Sequence, residues 1–314
     1  MPIAAELHLS SVTSASSVVS VSLFFLFEVS PFLRVSVVKI LRCSTIALIS
    51  AAMPDLAAQL RNKMEARAVF GTFVKLGRRE VIEILANAGL DFAICDLEHS
   101  QISEQEASIM ILAGLACGLP VIVRVADFQP GLVNRLLEAG AAGIQLPQVE
   151  TREQAAAFRR ACKYPPEGTR SLSLAQPAAG YGSQPLTGYI RRSNQQVLLV
   201  GQLESKSIEE PISGILSELD VAFIGSLDLT VDMDVPGKLD DPVVQQRIRE
   251  IEAAAGKNKT ALGIYADSPM RAAQAAAAGY RYIALSSDLG ALSGAAKGWV
   301  KQLAETSTTI AGKA

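Results

Sequence analysis

Glu204, in the run QLES, and Asp228, in FIGSLDLT, each close a short apolar stretch. If those stretches are neighbouring strands, the two carboxylates stand about 5 Å apart in the sheet direction. Two hard oxygen ligands leave a cation such as Mg2+ open positions for water and a chelating substrate; the other reading is a pair of solvated acids. Arg124 lies in VIVRVAD, where a permanent charge needs a partner or an opening. It suits an anionic oxygen of a carboxylate or a developing enolate, or else an internal ion pair with Glu98 or Glu138. His99 ends DLEH, just past Asp96 and Glu98. Imidazole titrates near neutrality, so proton transfer is one reading and a solvent-facing loop residue the other. His8, the second histidine, is incidental.

These residues need a scaffold that brings strand ends together. From Met53 onward short apolar runs alternate with amphipathic segments, the pattern of a parallel sheet wrapped by helices. GTFV reads as a first strand, and REVIEILANAG as a helix with Val81, Ile82, Ile84, Leu85 and Ala88 on one face. DFAICDLE, PVIVRV, AGIQLP, VLLVGQLE, DVAFIGSLD, ALGIYA and RYIALSS complete eight strands. Ser103 with Glu106, and Thr151 with Gln154, predict capping boxes, and Ser268 with Pro269 predicts another helix start. A helix is expected from near Ser207 and another from Pro242. The irregular stretch 163–196 is long enough to be a lid or to hide a short helix. Eight βα units predict a (β/α)8 barrel whose site lies at the C-terminal strand ends. An open doubly wound sheet fits less well, because no G-x-G-x-x-G follows the first strand. On the barrel, Asp96, Glu98, His99, Arg124, Gln145, Pro147, Gln202, Glu204 and Asp228 converge.

A chain of 314 residues with 49% hydrophobic content can bury one large core. Its formal charge of −2, single Trp and lack of a basic run argue against nucleic-acid binding and favour a small-molecule partner. Cys43, Cys95, Cys117 and Cys162 form no C-x-x-C pair, which points to reduced thiols and a cytoplasmic protein. Residues 1–52 differ from the rest: Leu9 to Phe27 carry no charge, yet Ser and Thr interrupt the apolar residues. We read 1–52 as an extension, a leader or gene-model artefact, with Met53 the functional start and 53–314 the barrel. Organelle targeting and a membrane anchor are the alternatives, and membrane contact is expected only if this extension belongs to the protein.

DLEH, VIVRV, YPPEGTRS at 164–171, QLES and FIGSLDLT, in this order, resemble the HpcH/HpaI aldolase family of pyruvate-dependent enzymes across about 53–303. The resemblance implies a phosphoenolpyruvate/pyruvate-type TIM barrel and a class II aldolase. Such an enzyme reversibly cleaves a 4-hydroxy-2-oxo acid to pyruvate and an aldehyde through a metal-bound pyruvate enolate. It implies Glu204 and Asp228 as ligands of Mg2+, Mn2+ or Co2+, Arg124 as stabiliser of the developing oxyanion, and His99 as proton carrier at the 4-hydroxyl. Gln202 and the amides near Ser226 and Leu227 would place the substrate, and Asp96 and Glu98 would hold the polar network. Glu138, in LLEAG, stands where the family often has an Asp that supports the histidine. Leu227 adds bulk where better-known members read GPADLS, and YPPEGTRS departs from YPPxGxRG. A homo-oligomer, often a hexamer, is implied, with the helix around Trp299 a candidate interface. Oxaloacetate decarboxylation, or enolate chemistry of the macrophomate synthase type, would use the same metal and Arg124 without the His99 step. A membrane-tethered or inactive barrel is the non-enzymatic reading.

Overall fold

Eight strands close on themselves in the order β1 to β8, every neighbouring pair parallel. The computed structural model describes residues 55–311, so the reading of 1–52 lies outside the described residues. Helix α1 (Leu56–Ala66) precedes β1 (Val69–Val74), α2 (Arg79–Asn87), β2 (Phe92–Asp96), α3 (Glu104–Cys117), β3 (Val121–Arg124), α4 (Pro130–Ala139) and β4 (Gly143–Leu146). Then come α5 (Arg152–Cys162), a 3-10 turn (Pro177–Gly182), α6 (Leu186–Gln196), β5 (Leu198–Leu203), α7 (Ile212–Leu216), β6 (Val221–Ile224) and α8 (Ser226–Asp232). The chain closes with α9 (Pro242–Asn258), β7 (Ala261–Ala266), α10 (Pro269–Ala277), β8 (Tyr282–Ser287) and α11 (Asp288–Ala311). This is the (β/α)8 barrel that the alternation predicts.

Local signals hold where a side chain satisfies an orphan amide. Both expected capping boxes form, Ser103 with Glu106 and Thr151 with Gln154, and Ser268 accepts from the Arg271 amide with Pro269 at the first position of α10. Two expectations change, and a third is decided between its alternatives. Ile84 is 64% exposed, because it lies two residues, roughly 200°, around α2 from the buried Ile82. The helix expected near Ser207 begins at Ile212, after Pro211, which has no amide to give. The stretch 163–196 does hide a helix, α6, which buries Tyr189 and Asn194.

Two apolar layers build the scaffold. Inside the barrel, Phe92 stacks on Tyr282 with centroids 4.3 Å apart, and Phe73 meets Phe223 edge-on at 6.3 Å. Leu60 and Met64 of α1 plug the N-terminal end of this interior. Gly71 is required here, since a Cβ would collide with the Phe92 ring. A second layer, including Ile82, Met110, Ile111, Leu136, Phe158 and Ile251, packs helices onto the outside. Burying each such side chain is worth about 1.5–3 kcal/mol, so the polar layer at the opposite end of the barrel rests on a stiff frame.

Candidate active site

Register, more than sequence distance, brings the polar residues together. Asp96 on β2 pairs with Arg124 on β3, and Arg124 with Gln145 on β4, so three polar side chains form a row across three strand ends. Arg124 Nε donates to Asp96 Oδ1 at 2.8 Å and Nη2 to Asp96 Oδ2 at 2.7 Å. Lys75 Nζ joins at 2.5 Å, and the Glu98 and His99 amides donate to Oδ1 at 3.2 Å each. Burial alone would push the Asp96 carboxyl up; the hydrogen bonds and charge of Arg124, with Lys75, bring it instead to about 2. Asp96 is therefore an anion that fixes Arg124, whose Cζ also lies 4.5 Å over the Phe73 ring.

The remaining edge of Arg124 faces the site. Nη1 lies 3.4 Å from Gln202 Oε1 and 3.0 Å from Glu98 Oε2, yet that Glu98 oxygen is buried and accepts no aligned hydrogen bond. Tyr282, Gln145, Gln202 and Glu204 form a relay: the Tyr282 hydroxyl donates to Gln145 Oε1 (3.5 Å), Gln145 Nε2 to Gln202 Oε1 (2.5 Å), and Gln202 Nε2 to Glu204 Oε2 (2.8 Å). The Gln148 amide donates to Glu204 Oε1 at 2.9 Å from a left-handed backbone at φ 52°, an uncommon conformation that aims the amide. Gly225 leaves the space that the Glu204 carboxylate occupies, since a Cβ there would strike it.

Glu98, His99, Glu204 and Asp228 line one cavity of about 340 Å³, with Gln148, Ser205 and Val231. Burial raises the Glu204 carboxyl above its ordinary value, and the charges of Asp228 and Glu98 add to the rise. Glu98 is raised for the same first reason, partly offset by Arg124. Five acids, Glu98, Glu150, Glu204, Asp228 and Asp232, thus line one space, and among the described residues no cationic side chain is in ion-pair contact with Glu204. Asp228 is exposed and lies in the first turn of α8, not on the strand, while Ser226 and Leu227 open the same helix. The His99 ring is 60% exposed, with Nε2 3.8 Å from Glu98 Oε2.

The structure thus brings Asp96, His99, Arg124, Gln202, Glu204 and Asp228 to one barrel mouth and separates Glu138 from them. Glu138 is the penultimate residue of α4, which runs away from the strand ends, and it accepts from Asn134 Nδ2 at 3.4 Å. Within this chain it is a neighbour of Asn134 and Arg170, not of His99. Lys75 and Asp288 are additions that no motif signalled: the Asp288 carboxylate accepts the Lys75 and Leu76 amides at 2.9–3.0 Å. Among the described residues, no group of three or more His, Cys, Asp or Glu side chains is arranged to hold a metal ion. No helix among them is long and apolar enough to cross a membrane.

A profile of the HpcH/HpaI aldolase/citrate lyase family matches residues 69–295. A hydroxypyruvate/pyruvate aldolase from Paraburkholderia phytofirmans is 33% identical over 233 residues, covering 72% of this chain and 89% of the relative. A 4-hydroxy-4-methyl-2-oxoglutarate aldolase from Chaetomium globosum is 35% identical over 193 residues, 59% of this chain and 71% of the relative. The crystal structure of an HpcH/HpaI aldolase/citrate lyase family protein from Burkholderia cenocepacia superposes with a TM-score of 0.72 at 30% identity. It covers 79% of this chain and 98% of that one.

Proposed function

The chain belongs to the HpcH/HpaI aldolase/citrate lyase family, enzymes of the carbon–carbon lyase type, and from that premise we propose that it is a class II aldolase. It cleaves a 4-hydroxy-2-oxo acid reversibly to pyruvate and an aldehyde. The observation that carries this reading is the Asp96–Arg124 fork, which turns a buried arginine edge toward a cavity lined by Glu204, Asp228, Glu98 and His99.

Glu204 and Asp228 are the residues that would hold a divalent cation, Mg2+, Mn2+ or Co2+. Three observations support the fit: the raised Glu204 carboxyl, the buried Glu98 oxygen that has an ion-pair contact but no aligned hydrogen bond, and the space Gly225 leaves for the Glu204 carboxylate. When bound, the cation supplies Lewis-acid polarisation of the 2-oxo acid oxygens. Arg124, pinned by Asp96, directs a preorganised positive edge at the oxygen where negative charge develops. Gln202 orients the substrate while holding Glu204, and the Ser226 and Leu227 amides receive the substrate carboxylate. His99 takes the proton from the 4-hydroxyl in cleavage and returns it in condensation, with solvent completing the exchange at its exposed ring. Leu227 and Val231, 61% and 58% exposed on α8, give the mouth an apolar rim against the aldehyde's substituent.

The test is pyruvate release from a panel of short, long, acidic and neutral 4-hydroxy-2-oxo acids with each of the three metals. No release from any of them rejects the aldolase reading. The looseness of His99, whose nearest carboxylate is 3.8 Å away, favours one second reading, oxaloacetate decarboxylation, which needs no proton transfer at a 4-hydroxyl. Release of carbon dioxide that survives His99→Ala identifies it. We further propose a cytoplasmic homo-oligomer in which α11, with Trp299 64% exposed, contributes to the contact; sedimentation of the full chain tests it.

A further inference from the structure

At the end of the barrel away from the mouth, residues that precede β4 and β5 border a cavity of about 330 Å³, within the size range of small-molecule sites. Arg170 and Arg192 both line it. Arg170 is only 6% exposed, and among the described residues its Nε donates to Asn134 Oδ1 at 2.9 Å. Its Nη2 is fully buried without an acceptor. A buried ionised group without a matching charge is costly, and in native proteins such a group is paired or meets a ligand. The Tyr164 ring, 4.5 Å from Cζ, offsets part of that cost but accepts none of the in-plane N–H groups.

The acids nearby are already occupied. Glu138 meets Asn134, not the guanidinium, so one amide stands between the two charges. Asp55, also on the cavity wall, accepts the Ala58 amide at the start of α1. Arg192 donates Nη2 to the neutral Gln184. Neither arginine has a carboxylate in ion-pair contact among the described residues. Two guanidinium groups therefore share one concave wall with apolar neighbours such as Leu137 and Val197 and a single carboxylate, Asp55, which is in ion-pair contact with neither among the described residues. Guanidinium forks match the planar oxygens of carboxylate and phosphate groups.

We propose that this cavity is a second ligand site, separate from the barrel mouth, which takes an oxyanion, a phosphate or carboxylate group, between Arg170 and Arg192. The site is independent of the aldolase reading, because none of its residues belongs to the cluster around Arg124.

Calorimetric titration of the full chain with inorganic phosphate tests it, using the wild type, Arg192→Gln, Arg170→Lys and Asp228→Asn. Arg192 is only half-buried, so its glutamine variant keeps the fold even if Arg170 variants do not. The expected result is one saturable phosphate site, weakened at least tenfold by Arg192→Gln and unchanged by Asp228→Asn. Three results overturn the proposal: no saturable binding, binding indifferent to Arg192→Gln, or binding strengthened by Asp228→Asn, since removing that repelling carboxylate acts only on a phosphate at the mouth. A fourth does so as well: a change of oligomeric mass in Arg192→Gln without phosphate binding in the wild type. That outcome would assign the cavity to a carboxylate of a second copy of the chain.

Discussion

Strand β2 has an aspartate at each end, and the two are held in nearly the same way to different purposes. Asp91, just before the strand, accepts a two-pronged Arg67 at 2.7 and 2.8 Å, Lys63 at 3.1 Å and the Phe70 amide. Asp96, its last residue, accepts a two-pronged Arg124, Lys75 and two loop amides. Both carboxyls are brought to about 2 against the upward push of burial, one by Arg67, Phe70 and Lys63, the other by Arg124 and Lys75. The difference lies in the cations. The side chains of Arg67 and Lys63 are 52% and 47% exposed, whereas that of Arg124 is 8% exposed. Water can replace the first pair's partners; nothing replaces the second's. The same fork is a surface tie at one end and a preorganised charge at the other.

The largest expected break of this comparison is Arg124→Met. It leaves Asp96 with Lys75 alone and Glu98 without its cation, so denaturant titration should show a loss of about 3–5 kcal/mol. Pyruvate release should fall by about 10²- to 10³-fold, the usual loss for one preorganised oxyanion donor. His99→Ala should reduce aldol cleavage by about 100-fold or more while leaving the unfolding midpoint in place, since its ring is exposed. Glu204→Gln should abolish the stabilisation that added Mn2+ gives in thermal melts. Without metal the variant should melt no lower than the wild type, because the native carboxylate is disfavoured by burial and by Asp228 and Glu98. Acidification tests both ends of β2 together. A depressed carboxyl contributes stability fully above its ordinary value of 3.8, and that contribution drains away as pH falls toward about 2. Acid unfolding followed by circular dichroism should therefore steepen between those values. Arg67→Met is the smallest change: at most about 1 kcal/mol, with pyruvate release unaltered.

Much of the fold was legible because its signals are local. Apolar alternation located the strands, and Ser103, Thr151 and Ser268 marked helix starts by the amides they satisfy. Helix α6 was foreseen only as one of two readings of 163–196, because LTGYIRRSNQQ has a Gly, β-branched residues and few apolar side chains; tertiary burial of Tyr189 and Asn194 holds it. The site was legible as a set of strand ends, which the barrel must bring together. Lys75 was not, since its pairing with Asp96 depends on a lysine bending across the mouth. Gln145 was noted at its strand end, yet its link to Gln202 appears only once register is known. Glu138 was named from likeness alone, and within one chain it stands away from His99. Eight residue steps of about 1.5 Å each carry it roughly 12 Å from the start of α4.

The Asp288 carboxylate, at the exit of β8, grips the amides of Lys75 and Leu76 at the exit of β1. That contact ties the order of synthesis to readiness for chemistry. The β1 exit emerges from the ribosome early, but its backbone has no anchor until a partner 213 residues later has followed. Until then Lys75 cannot settle against Asp96, and that carboxylate lacks its second counter-charge. A nascent barrel missing its last strand could already hold most of its core, yet would carry an unfinished charge arrangement at the mouth.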